Sequence, residues 1–411
     1  MKICFALPDA LYGGIRTFAL NLGREFTHDG HSVSAVLAAR GVAEDGVGDL
    51  SELRETMDVR VCVQKRVLVR SQFLRRVIQA IEVSSPEVVV LSNTIWAQAA
   101  LPYLNPSLRR IVVVHSAVKE QIELASANSA YWDALVAVGP GVHDHLVGLW
   151  GRQRAHLIPV GVAKPRSSPS HDFSDCVLKI CYVGRVSQPH KNVFLIPVIA
   201  RGLVGRRIQF RWAIIGDGPD LHALKAQIAD TGLSGFFDFT GACGGTEVQR
   251  NLGRQHVLVL PSDWESIGHV LLEAQMLGVV PVASRLPGAT DFVITHGRDG
   301  LLCEPGDSAG FVDALAFLSA DRSALERLSL TAQRGVRERF EISKIAAHYY
   351  DLFGSISRTS SQLRRRSSIL GYYPIPRSIL PSRVRTAARL GRDLVLDRVR
   401  ETEAGRGSIS S

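Results

Sequence analysis

The six cysteines of this 411-residue chain include no Cys-x-x-Cys pair, and no histidine cluster accompanies them. A structural zinc site or a disulfide framework is therefore not expected, and a reducing compartment fits best. His-Glu-x-x-His is absent, as is any carboxylate cluster at metal-ligand spacing, so no resident metal is expected. Gly-x-Ser-x-Gly is absent too, which removes the nucleophile-elbow hydrolases. The glycine-rich turn after the first strand is not Gly-x-Gly-x-x-Gly and has no P-loop lysine, so neither a dinucleotide fingerprint nor a Walker A loop is met. No secretory h-region follows Lys2, because Pro8 and Asp9 cut the apolar stretch short. The longest uncharged run, Val88 to Leu108, carries Ser92, Asn93, Thr94, Gln98, Pro102, Asn105 and Pro106, so it reads as a strand and a helix instead of a membrane span. A soluble, cytoplasmic chain is the expectation.

What is present is ordinary globular composition, 46% hydrophobic and 21% charged, which excludes disorder over most of the length. The net charge of +9 is concentrated at one end. From Ser355 to Ser411 there are twelve arginines, no lysine and four acids, so this tail holds eight of the nine surplus positive charges. The body before it is nearly neutral.

Short apolar runs alternate with longer amphipathic ones. Lys2–Leu7, Ser32–Ala38, Val59–Val63, Glu87–Leu91, Ile111–His115, Leu135–Val138 and His156–Pro159 read as strands, followed by Leu178–Val183, Phe210–Ile215, Phe236–Thr240, His256–Leu260 and Val279–Ala283. Most are continuous Val/Ile/Leu stretches, as parallel strands covered on both faces require. With helical patterns between them, they predict right-handed βαβ units. Gly161 to Asp175, rich in Ser and Pro, has linker composition. The predicted class is α/β: Rossmann-like domains over 1–160 and 178–353, a linker at 161–177, and an Arg-rich, partly helical tail at 354–411. Helices at Ser308–Leu318, Ser323–Arg339 and Lys344–Phe353 would close the second half. Such a pair of domains encloses a cleft at the carboxyl ends of both sheets.

Residues 261–284 (PSDWESIGHVLLEAQMLGVVPVAS) carry the strongest chemical signal. Ser262, Asp263 and Ser266 are candidate N-caps for a helix running to about Leu277 and stopped by Gly278. On one helix Glu265 and Glu273 would stand about 12 Å apart along the axis, beyond the roughly 5–9.5 Å of a glycosidase pair. They could hold two ends of an elongated, hydroxyl-rich ligand, with a phosphate at the free N–H groups near Ile267 and Gly268. The alternative is one glutamate complementing the helix dipole and one solvated. Arg185, after Gly184, and Lys191 follow the strand ending at Val183, and this pairing of a fork with a point charge suits a diphosphate; two unrelated surface cations are the alternative. Gly13-Gly14 would let a ligand approach the backbone or would simply make a tight turn. His115 ends a strand where a side chain would face the cleft, although a lone histidine is more often structural. Gly216-Asp217-Gly218-Pro219 predicts a sharp turn with proline starting a helix.

Taken in order, these pieces resemble the retaining nucleotide-sugar glycosyltransferases of family 4, which have the GT-B fold. The resemblance covers about residues 1 to 353. It rests on Gly13-Gly14, His115, Ile158-Pro159-Val160-Gly161-Val162, Gly184-Arg185, Lys191, Gly216-Asp217-Gly218-Pro219, Pro261-Ser262, Glu265 and Glu273. It implies that Arg185 and Lys191 hold the donor diphosphate, that Glu273 binds the nucleotide ribose, and that Glu265 contacts the donor sugar beside the amides of Ser266, Ile267 and Gly268. It implies further that His115 reaches the sugar, that Gly14 approaches the phosphates, and that transfer proceeds without metal or cofactor, a nucleoside-diphosphate sugar being the co-substrate. Three positions depart from the family pattern: Ile267 replaces an aromatic residue, Asn192 a glycine, and Val160-Gly161-Val162-Ala163 an Asn-Gly-Val-Asp sequence. They bear on donor identity.

The implied activity is hexosyl transfer from a nucleoside-diphosphate sugar to a glycan or lipid-linked acceptor in cell-surface polysaccharide or glycolipid assembly. A non-catalytic GT-B-like scaffold, an epimerase and a phosphorylase are the alternatives. In the tail, Val384, Ala387, Ala388, Gly391, Val395 and Val399 recur at helical spacing among arginines. That pattern suits an anionic membrane surface, peripheral to the inner face of the cytoplasmic membrane, or packing on the body. No nucleic-acid module surrounds it.

Overall fold

The computed structural model describes residues 1–8, 13–40, 50–64, 70–92, 94–165, 169, 171–188 and 190–356. The Arg-rich tail from 357 onward, and the helix expected within it, lie outside the described residues.

Seven strands form the first sheet: β1 (Lys2–Leu7), β2 (Ser32–Arg40), β3 (Asp58–Gln64), β4 (Val88–Ser92), β5 (Arg109–Val114), β6 (Ala134–Ala137) and β7 (Ala155–Leu157). Their order is β3-β2-β1-β4-β5-β6-β7, parallel throughout. Along β1, Ile3, Phe5 and Leu7 enter one core cluster while Cys4 and Ala6 enter another on the opposite face. Both faces are thus dry, which is why the strand reads as an unbroken apolar run. Helices α1 (Gly14–His28), α2 (Ser51–Thr56), α3 (Arg70–Glu82), α4 (Ile95–Ala100), α5 (Lys119–Ser126) and α6 (Pro140–Trp150) connect these strands.

Six more parallel strands form the second sheet in the order β10-β9-β8-β11-β12-β13. They are β8 (Leu178–Val183), β9 (Phe210–Ile215), β10 (Phe237–Gly241), β11 (Val257–Leu260), β12 (Val280–Ser284) and β13 (Leu301–Cys303). Connecting helices are α7 (Leu195–Gly205), α8 (Leu221–Asp230), α9 (Gly245–Leu252), α10 (His269–Met276) and α11 (Thr290–Val293), followed by α12 (Ser308–Ala320), α13 (Arg322–Phe340) and α14 (Ile342–Ser355). All four residues of β11 and all five of β12 are buried, each large aliphatic contributing about 1.5–3 kcal/mol of transfer free energy. In both sheets the strand order reverses beside the first strand, between β1 and β4 and between β8 and β11. Ligands of open α/β sheets bind outside the carboxyl ends at such reversals.

Three features differ from the sequence expectation. First, α10 begins at His269, because Gly268 stands at φ 72, in the left-handed region. Ser262, Asp263 and Ser266 therefore do not cap it, and Glu265 lies on the preceding loop instead of sharing a helix with Glu273. Second, α8 begins at Leu221 behind Asp220, so Pro219 precedes the helix instead of opening it. Third, α14, expected to close the second half, packs on α1 of the first. Tyr349 lies 6.2 Å from Phe18 and 6.4 Å from Phe26 between ring centroids, and the Tyr350 hydroxyl donates to Asp29 Oδ2 at 2.7 Å.

The chain crosses between the domains twice, and the two crossings lie side by side. The Val162 N–H donates to the Phe340 carbonyl at 2.9 Å and the Ile342 N–H to the Val162 carbonyl at 3.0 Å. A Cβ on Gly161 would fall 2.5 Å from Ile342 Cδ1 and 3.1 Å from its Cα, so a larger residue there would force the two crossings to shift apart. The segment read as linker is partly anchored: His171 Nε2 bonds to the Leu277 carbonyl at 2.6 Å and Phe173 packs on His256.

Candidate active site

Loops from both sheets converge on the cleft. After β8, Gly184 sits at φ 146 and Arg185 is exposed, with no ion-pair partner among the described residues. The loop's shape is imposed from behind. A Cβ on Gly216 would meet the Gly184 carbonyl oxygen at 2.0 Å, and one on Gly218 would meet the Val186 carbonyl oxygen at 2.1 Å. The buried Tyr182 hydroxyl donates to the Arg185 carbonyl at 2.8 Å, and burial, with the Glu265 charge second, pushes its pKa up. The Gly216–Pro219 turn thus supports the Arg185 loop from behind.

Lys191 and Glu265 are brought together from opposite sides of the sheet reversal. Lys191 Nζ donates to Glu265 Oε1 at 2.5 Å, and Ser262 Oγ donates to the same oxygen at 2.8 Å. Among the described residues Glu265 Oε2 has no partner. The carboxylate side chain is 8% exposed and the lysine 27%, enough burial to make the pair more than a surface contact. Two further bridges tie the loops together: Asn192 Nδ2 donates to Asp263 Oδ1 at 3.0 Å, and the Asp263 N–H donates to the His190 carbonyl at 3.0 Å. Asn192 takes φ 46, the left-handed conformation that a glycine would adopt freely.

Ser266, Ile267 and Gly268 lead into α10. The Ile267 side chain is buried in the core, so it offers a ligand only its backbone. Ser266 faces the first domain, where a Cβ on Gly139 would lie 3.0 Å from its carbonyl oxygen. Glu273, one turn into α10, has no hydrogen-bond partner among the described residues, and burial pushes its carboxyl up to about 7. From the first domain, Gly13 precedes α1 at φ 131, and Gly14 opens that helix against His269. His115, just past β5, is 8% exposed, its ring 5.0 Å from Phe18. Burial, with the neighbouring His269 second, lowers its pKa to about 3.

Of the ten sequence-selected residues, Lys191 and Glu265 are bonded to each other, while Gly14 lies against His269, the residue that follows Gly268. His269 is a site residue that sequence reasoning missed: burial lowers its pKa to about 4, and no sequence signal marks it, since what its ring touches lies in the other domain. Among the described residues the one cluster with metal-ligand spacing, Glu25, His28 and Asp29, lies at the far end of α1 and is largely exposed.

Two parallel Rossmann-like domains with a cleft at both sheet reversals define the GT-B class. The solved structure of Anabaena Alr3699/HepE in complex with UDP and glucose shares that fold, with a TM-score of 0.69 at 17% identity over 87% of this chain and 100% of that one. Residues 164–335, the stretch that carries β8–β13, match the family described as glycosyl transferases group 1. The 2-deoxystreptamine N-acetyl-D-glucosaminyltransferase of Niallia circulans is 28% identical over 176 residues, 43% of this chain and 45% of that protein. The lipopolysaccharide core biosynthesis glycosyltransferase LpsD of Rhizobium meliloti is 33% identical over 140 residues, 34% of this chain and 40% of that protein. The matched stretch thus spans less than half the length of either relative.

Proposed function

We propose that the protein is a retaining glycosyltransferase that moves a hexosyl group from a nucleoside-diphosphate sugar to a glycan or lipid-linked acceptor. The observation that carries this reading is the Lys191–Glu265–Ser262 constellation at the second sheet reversal, with Arg185 unpaired beside it and Glu273 one helix turn behind.

In this reading the bond between the anomeric carbon and the diphosphate oxygen breaks, and an acceptor hydroxyl oxygen forms the new bond on the same face. The acceptor proton leaves to the departing diphosphate or to water. Negative charge grows on the diphosphate, where Arg185, Lys191 and the N–H groups leading into α10 would meet it. Glu265 Oε1 is fixed by Lys191 and Ser262, which leaves Oε2 to accept from a sugar hydroxyl. Glu273 would accept from the ribose, and His115 would approach the sugar from the first domain. The chemistry asks for no cofactor, and cations from the protein serve where a metal otherwise would. Among the described residues no helix is long and apolar enough to cross a membrane. We assign the acceptor side to cell-surface polysaccharide or glycolipid assembly, with the 355–411 tail holding the enzyme at an anionic inner membrane surface and no nucleic acid involved.

The test is thermal stabilisation and turnover with a panel of UDP-, GDP-, ADP- and dTDP-sugars in the presence of EDTA. Stabilisation by at least one donor and its free diphosphate is expected, with the product keeping the donor's anomeric configuration. No response to any donor or diphosphate would overturn the reading; activity only with free phosphate would make the protein a phosphorylase.

A further inference from the structure

The glutamate motif accounts for Glu265 and Glu273 but not for the residue that opens α10. His269 is the first residue of that helix, and its ring lies against Gly14, the first residue of α1 in the other domain. A Cβ on Gly14 would fall 2.7 Å from His269 Cδ2 and 3.3 Å from Nε2, so the ring occupies the space that only glycine leaves. His269 Nε2 is buried and has no partner among the described residues, and the same holds for His115 Nε2. The two imidazoles are close enough that a charge on one would repel a charge on the other. A buried ring nitrogen without a partner is costly to keep unless a ligand meets it. Two such nitrogens, one from each domain, point to a polar ligand at this place, with one atom of it meeting His269.

What that atom is follows from the surroundings. The amino ends of α1 and α10 meet at the ring, and both present free N–H groups and positive potential. Burial keeps both rings neutral, so each can donate from Nε2–H without bringing a charge. A hydroxyl could use one donor and one acceptor, but beside two helix amino ends an oxygen that takes donation from every side is favoured.

We propose that His269 is a donor-binding residue whose Nε2–H hydrogen-bonds a diphosphate oxygen of the nucleotide in the closed cleft. This rests on the glycosyltransferase reading above, and the experiment separates the two. Binding of UDP, GDP, ADP and dTDP to the full-length wild type is measured by isothermal titration, and the tightest is carried forward. His269→Leu should weaken that diphosphate about tenfold, as expected for a hydrogen bond to a charged group, while the parent nucleoside, measured by competition, is unaffected. His269→Gln, which keeps an N–H donor, should recover most of the loss. His269→Ala serves as a second loss variant if leucine crowds Gly14 and prevents folding. Equal weakening of nucleoside and diphosphate would make the role structural and overturn the proposal. So would an unchanged diphosphate affinity with weaker binding of the nucleotide sugar, which would assign the ring to a sugar hydroxyl. A wild type that binds no diphosphate would overturn the functional reading itself, and this proposal with it.

Discussion

Replacing Glu273 with glutamine should make the unliganded protein more stable and worse at holding its ligand. Burial lifts the Glu273 carboxyl from the ordinary 4.5 to about 7. Below pH 4.5 both folded and unfolded chains carry it protonated, and folding is indifferent to it. Between 4.5 and 7 the unfolded chain has released the proton and the folded chain has not, so stability falls as pH rises, by about 1.4 kcal/mol per pH unit. Above 7 the loss is complete, at about 3 kcal/mol. Glutamine carries no such penalty. In thermal melts from pH 5 to 8.5, the wild type and Glu273→Gln should nearly coincide at pH 5 and separate steadily. At about 2–4 °C per kcal/mol for a domain of this size, the separation at pH 8 should reach several degrees. Ligand binding should run the other way. If the ribose needs the carboxylate as acceptor, nucleoside diphosphate affinity should rise as pH climbs from 6 to 8 and release a proton, visible in calorimetry with buffers of different ionisation heat. Parallel melting curves for the two proteins across this range would refute the reasoning.

Lys191→Ala should abolish turnover, a loss of at least about 100-fold, and also lower stability by about 1–3 kcal/mol, because the Glu265 carboxylate keeps only Ser262; steady-state kinetics at saturating donor decide the first part, and wild-type activity would remove Lys191 from the site. Gly216→Ala forces a Cβ to 2.0 Å from the Gly184 carbonyl oxygen at φ 141 and should cost more than about 3 kcal/mol, whereas Gly205→Ala, at the end of α7 with open space around it, should be neutral or stabilising by up to about 1 kcal/mol. Urea titration of both variants measures the contrast. Deleting residues 357–411 should reduce co-sedimentation with vesicles of anionic phospholipid while leaving diphosphate affinity unchanged; equal sedimentation would contradict a membrane role for the tail.

Strands β8 and β9 run between the same residues in the sequence reading and in the fold, because continuous apolar runs between polar breaks are what a doubly covered parallel strand needs. Strand β13 escaped, since three residues leave no period to detect. The sequence pattern leaves open whether Glu265 shares a helix with Glu273, because it cannot report that Gly268 turns left-handed just ahead of His269. The partnership of Lys191 with Glu265 was legible only as two separate loops at strand ends; the bond between residues 74 apart in sequence is a product of the sheet order. His269 was illegible for the same reason: what its ring touches lies in the other domain. The apolar face of α14 was evident, but a periodic pattern says that a helix is buried and not against what.

The return of α14 to the first domain also sets an order of events during synthesis. Its buried face, with Tyr349, Leu352 and Phe353, covers Phe18 and Phe26 on α1. When the ribosome finishes the first sheet, that face of α1 has no cover, and none arrives until the whole second domain has been translated. At about 5–20 residues per second the wait is on the order of ten seconds or more. The amino-terminal half is therefore the first to be made and the last to be completed. An interrupted message would release a chain whose aromatic surface stays open to chaperones and proteases, however well its second domain had folded.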